Sequence, residues 1–188
     1  MRTRSGRGLP LALGLLLSLF LPPAPAEGAD AIWSYGGGSP NASESSNWVG
    51  GAIPAGGDFV VFGNTTPFSP CTWNLGITLA SMSITGAYAS TVTFGSDLTV
   101  SSGVLLNAGA SAKLDLNGYS MTVGGDWVVG DMKTTSTVVG SSVTFLGGGE
   151  SKIFRTTPGP ARFNNVIINK DADSSSKERA YSDIEVWG

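Results

Sequence analysis

From about residue 59 onward, apolar side chains recur at alternate positions in runs of three to six residues, each followed by Gly, Ser, Asn or Asp. Phe59-Val60-Val61-Phe62, Met82-Ser83-Ile84, Val92-Thr93-Phe94, Leu98-Thr99-Val100, Met121-Thr122-Val123 and Val166-Ile167-Ile168 are examples. A period of two is the signature of a strand with one face buried. No stretch of this region carries a capped helical stripe, so the pattern predicts an all-β chain of short strands.

Some runs align with one another. Val92-Thr93-Phe94 followed by Leu98-Thr99-Val100 matches Leu114-Asp115-Leu116 followed by Met121-Thr122-Val123, and Val143-Thr144-Phe145 matches the first triplet again. The intervals are 22 residues from Val92 to Leu114 and 29 from Leu114 to Val143. Repeats of this size predict the coils of a parallel β-solenoid, each strand stacking on its counterpart in the previous coil. Alternate apolar residues then share an interior while the intervening Thr, Ser and Asp face water. Asn117-Gly118 suits the turn between two such strands, because both residues tolerate positive φ. The same dipeptide is a hairpin signal, so an antiparallel β-sandwich is the alternative fold.

The chain divides into three parts. Residues 1–26 read as a secretory signal peptide: Arg2, Arg4 and Arg7, then the 13-residue apolar stretch Leu9–Leu21, then Ala24-Pro25-Ala26 before the expected cleavage. That stretch is shorter than the ~20 residues of a membrane span, and no later segment is long and apolar enough. Residues 27–75, with Trp33, Tyr35, Trp48, Trp73 and Gly36-Gly37-Gly38-Ser39-Pro40, show the repeat poorly and read as an aromatic N-terminal cap. Residues 76–188 read as coils. Tyr181–Gly188 looks like the opening of one more coil, which suggests an N-terminal fragment of a longer protein.

Asn47-Trp48-Val49-Gly50-Gly51-Ala52-Ile53-Pro54 with Gly57-Asp58-Phe59-Val60-Val61-Phe62, the run Leu114–Trp127, and Phe163-Asn164-Asn165-Val166-Ile167-Ile168-Asn169 carry a resemblance. Together they resemble the N-terminal part of bacterial secreted and cell-surface proteins built as right-handed β-helices, the passengers of autotransporters among them. The resemblance implies a right-handed parallel β-helix, a secreted or cell-surface location and an adhesive role; it implies no catalytic residue.

Composition narrows the chemistry. Beyond the leader, eight Lys and Arg stand against fourteen Asp and Glu, and none of the basic residues lies between Gly8 and Ala112. Such a chain has no basic stripe for nucleic acid. Charged residues are 13%, and the regularly spaced Val, Leu, Ile and Phe argue for a packed core over disorder. The absence of histidine removes Ser-His-Asp and Cys-His sites and His-containing metal centres. The single cysteine, Cys71, cannot form an internal disulfide or a thiolate cluster and reads as a buried apolar residue.

Four groups remain to be weighed. Ser174-Ser175-Ser176-Lys177 has Ser-x-x-Lys spacing, but in a polar loop without the helix that this chemistry requires. Asp115, Asp126 and Asp131, with Lys113 or Arg155, could serve glycoside cleavage only if two carboxyls stood about 5–10 Å apart. Asp171 and Asp173 have the alternate spacing that reaches one Ca²⁺, yet the rest of an EF-hand loop is missing. Tyr88 and Tyr119, in Gly/Ser/Asn turns, are the candidates for exposed ligand contact, whereas the tryptophans read as packing residues.

The expected function is that of an exported, non-enzymatic structural or adhesive scaffold without cofactors, its partners surface glycans or matrix proteins. A carbohydrate-binding module and a polysaccharide-acting β-helix enzyme are the alternatives.

Overall fold

The computed structural model describes residues 28–63, 68–130, 133–135, 140–158, 160–171, 177–181 and 183–186. The leader, Asp131, Asp173 and Ser174–Ser176 lie outside these residues.

The alternating runs become strands in a fixed rotation. After β1 (Asp30–Ile32), the first coil holds β2 (Phe59–Phe62), β3 (Cys71–Trp73) and β4 (Thr78–Leu79), and the second β5 (Ser81–Gly86), β6 (Thr91–Phe94) and β7 (Leu98–Val100). The third holds β8 (Val104–Ala108), β9 (Lys113–Asp115) and β10 (Ser120–Val123), and the fourth β11 (Trp127–Val129), β12 (Lys133–Thr135) and β13 (Ser142–Gly147). A fifth comprises β14 (Glu150–Arg155), β15 (Ala161–Phe163) and β16 (Asn165–Lys170), followed by β17 (Lys177–Ala180) and β18 (Ile184–Val186).

The strands assemble into a first sheet β1-β2-β5-β8-β11-β14-β17, a second β3-β6-β9-β12 and a third β4-β7-β10-β13-β16, with β15 paired to β18. Every pairing between these strands is parallel. The chain is an all-β parallel solenoid of about five turns. The antiparallel sandwich is thereby overturned: β9 and β10, which flank Asn117-Gly118, pair with strands of other coils and not with each other. Asn117 and Gly118 both adopt positive φ, 47° and 87°, to turn the corner.

Register explains the coil length. The buried ladder Val60, Met82, Val104, Trp127, Ile153 climbs the first sheet in steps of 22, 22, 23 and 26 residues. The step from Val92 to Leu114 is a true ladder step. The expected 29-residue step from Leu114 to Val143 is not: Val143 stacks on Met121, 22 residues earlier, in the third sheet. A Val-Thr-Phe triplet records which side chains point inward but not which sheet holds the strand, so β6 and β13 look alike in sequence. Between coils the backbones approach closely, and a Cβ on Gly124 would stand 2.2 Å from the Ser101 carbonyl oxygen, so only glycine fits.

Aromatic rings fill both ends of the interior. Trp33 meets Trp48 edge-on at 5.1 Å and Phe62 at 5.9 Å, and Trp48 meets Trp73 at 6.5 Å. Asn47, fully buried among them, holds the preceding loop: its amide donates to the carbonyls of Ser39 (2.8 Å) and Asn41 (2.9 Å), and its Oδ1 accepts from Gly37 N (2.8 Å). These contacts satisfy the buried amide and orient Trp48, whose Nε1 donates to Ala42 O at 2.7 Å. Strands β2 and β3, within residues 27–75, already pair with β5 and β6, so the ladders reach back into the aromatic segment. Towards the other end, Trp127 packs with Phe145 at 6.2 Å and Phe163 at 5.5 Å.

Candidate interaction surfaces

A stacked coil presents every second side chain of each strand on an outer face, one rung about 4.8 Å from the next. On the third sheet Thr78, Thr99, Thr122 and Thr144 fall in one register, and Ser120 and Ser142 form a parallel rank with their hydroxyl oxygens 2.9 Å apart. On the second sheet Thr72, Thr93 and Asp115 face outward in register. The third-sheet face thus carries hydroxyls at regular spacing until Ile167 takes the rank on β16, and the second-sheet face mixes threonines with a carboxylate. The first sheet differs, for its outer rank is Ile32, Val61, Ser83, Leu105, Val128 and Phe154.

The residues singled out from sequence fare unequally. Tyr119 is exposed beside the Asn117-Gly118 turn. Tyr88 is not: contrary to expectation it is 1% exposed, its ring 5.6 Å from Phe62 and its hydroxyl donating to Ser69 O at 2.9 Å. A large amphipathic ring in a small-residue corner buries its apolar body and finds an internal acceptor, so Tyr88 offers no surface contact. Trp33, Trp48, Trp73 and Trp127 are all buried.

Asp115 and Asp126, the candidate acids among the described residues, lie beside different sheets. Asp115 Oδ1 accepts from Asn117 N (2.9 Å) within its own turn, and Asp126 Oδ1, beside the first sheet, accepts from Lys152 N (2.9 Å). Lys113 is exposed on the second sheet, while the Arg155 guanidinium donates to the carbonyls of Pro160 and Gly130. Asp171 is exposed at the end of β16. Among the described residues no group of three or more Asp, Glu, Cys or His could hold a metal ion. A small recess is lined by Leu116, Trp127, Val143, Arg162, Phe163 and Asn165, with no carboxylate in its lining. Among the described residues no helix is long and apolar enough to cross a membrane.

Cys71 is 1% exposed, and desolvation by burial pushes its thiol far above the ordinary range. We expect no labelling of Cys71 by a thiol reagent in the folded chain and complete labelling in denaturant; a thiol titration checks this, and rapid labelling of the native chain would contradict the packing of β3.

Two groupings were not visible in the sequence. One is the apolar outer rank of the first sheet. The other is a polar corner between β16 and β17, where Lys170 Nζ donates to the Leu146 carbonyl (3.0 Å) and the Ser151 hydroxyl and lies 3.4 Å from Glu178 Oε2. Both side chains are nearly buried, at 6% and 5% exposure. Burial raises the Glu178 carboxyl above its ordinary 4.5, with Lys170 opposing the shift. The Ser151 hydroxyl in this corner belongs to a residue that is 1% exposed.

No protein-family model matches the chain, and neither does any curated protein or solved structure with which it was compared.

Proposed function

We propose that the chain is an exported, non-catalytic scaffold of the bacterial cell-surface or secreted β-helix type, and that it adheres to surface glycans or matrix proteins through its lateral faces. The observation that supports this reading is the hydroxyl lattice of the third sheet, where Thr78, Thr99, Thr122 and Thr144 stand one per coil beside Ser120 and Ser142. Each hydroxyl both donates and accepts, so a rank at ~4.8 Å spacing can bond an extended polar polymer at several points. Tyr119 adds an exposed ring in the turn before β10.

A carbohydrate-binding module would call for a row of exposed aromatic rings, and Trp33, Trp48, Trp73 and Trp127, the tryptophans among the described residues, are buried. The adhesive reading is therefore preferred. It is tested by passing the protein over soluble and insoluble glycans and matrix proteins. Saturable retention without product, weakened at least about tenfold by Thr122→Lys, is the expected result. Release of shortened glycan would replace the reading with an enzymatic one, and retention on none of the surfaces would remove the adhesive role.

A further inference from the structure

The outer rank of the first sheet departs from the rule the same chain follows on its other two faces. Ile32, Val61, Leu105, Val128 and Phe154 occupy positions that Thr, Ser and Asp mostly fill elsewhere, Ile167 excepted, with Ser83 the one polar member. They form an apolar stripe along the first sheet that only Ser83, between Val61 and Leu105, interrupts. Leu105, on the middle strand, is 36% exposed. A stripe of this kind marks a contact surface more than a solvated one.

We propose that this face is covered by the same face of a second copy, the two solenoids lying antiparallel about a two-fold axis that runs along β8. Two features favour a second copy. The sheet has seven strands with β8 at its centre, so the axis sets Leu105 against its own counterpart, Val61 against Phe154 and Ser83 against Val128. Charge is also distributed unevenly along the stack. Residues 28–112 hold Asp30, Glu44, Asp58 and Asp97 and no Lys or Arg, whereas the last two strands of this sheet hold Lys152, Arg155, Lys177 and Arg179 against Glu150 and Glu178. Antiparallel stacking brings exposed Asp30 of β1 near Lys152 and Arg179 of the other copy, while parallel stacking sets like beside like. Arg179 already pairs with Glu150 at 2.9 Å, so Lys152 and Lys177 carry the surplus positive charge. The contact is isologous and closes on itself.

Its size sets its strength. Six steps of ~4.8 Å by about five residues of ~3.4 Å give a footprint of roughly 500 Å² per copy, near the lower bound of about 1,000 Å² in total for a specific interface. A reversible dimer is expected, dissociating in the micromolar range.

Sedimentation equilibrium on the full chain between about 1 and 100 µM tests this. The expected result is a monomer–dimer equilibrium whose dissociation constant rises at least about 30-fold in Leu105→Lys, which sets two ammonium groups face to face at the axis. Thr122→Lys on the third sheet and Ile168→Lys at the far end of the stack should leave it unchanged. In Leu105→Cys, a short bis-maleimide should yield a covalent dimer, because facing sheets lie ~10 Å apart; Cys71, buried, does not compete. A monomer throughout the range, a dimer indifferent to Leu105→Lys, one abolished by Ile168→Lys, or open-ended polymers would each overturn the proposal. Loss of glycan retention with the dimer intact would touch only the adhesive reading.

Discussion

Phe94→Asp is expected to unfold the solenoid, whereas Thr93→Asp, one residue away, should cost about 1 kcal/mol or less, chiefly from setting its carboxylate beside Asp115. Phe94 is fully buried, above Trp73 in the register of β3 and β6, while Thr93 faces outward between Thr72 and Asp115. Removing a buried phenyl ring costs about 3–5 kcal/mol, and an unpaired carboxylate in its place adds several more. A single domain is stable by only about 5–15 kcal/mol, so the sum consumes most or all of that margin. Phe145→Asp should behave as Phe94→Asp does, because Phe145 occupies the equivalent inward position on β13. Thermal melts followed by circular dichroism read the difference directly. Equal melting of Phe94→Asp and Thr93→Asp would mean that the inward and outward assignment of β6 is wrong.

That assignment was legible from sequence because it depends on a local fact, the alternation of side chains along a strand. The coil length was legible where two successive pairs of strands repeat together, as in the match of β6–β7 to β9–β10. It failed at Val143, where a single triplet was matched alone and the intervening turns differ in length. Tyr88 was misplaced for a related reason. Ala87-Tyr88-Ala89 between Gly86 and Ser90 has the composition of an exposed turn, and only the corner geometry turns the ring towards Phe62. The apolar outer rank left a trace that alternation obscures: Val60-Val61, Leu105-Leu106, Val128-Val129 and Ile153-Phe154 are doubled apolar residues, one member inward and one outward. Doubling at the same rung in the first, third, fourth and fifth coils, with Ser83 the exception in the second, is the signal for a sheet that is covered on both sides. The Lys170–Glu178 corner had no such trace, since the two residues are polar, eight positions apart and brought together only by the fold.

That corner should be costly to break from one side. Lys170→Met is expected to destabilise the terminal coil by about 3–5 kcal/mol at neutral pH, because it leaves the Glu178 carboxylate buried without its counter-ion. The pH dependence has a definite sign. Burial holds the Glu178 carboxyl above its ordinary 4.5 in the folded chain, so the folded state keeps this proton more tightly than the unfolded one. Its contribution to stability is therefore fully present below the ordinary carboxylate range and is lost as pH rises through the raised value. Without Lys170, the first of the influences that lower it, the carboxyl moves up further, and the deficit of Lys170→Met should shrink towards about pH 4 as Glu178 protonates. Asp126, whose charge also raises the Glu178 carboxyl, works in the same direction. Adding Glu178→Leu to Lys170→Met should restore most of the loss, since an apolar pair needs no counter-charge. In a stacked repeat the effect registers first where the bonds lie, so faster hydrogen exchange at β16 and β17 should precede any change at β5–β7. A Lys170→Met variant that is pH-independent and within about 1 kcal/mol of the parent would show that this ion pair is open to water rather than sealed between β16 and β17.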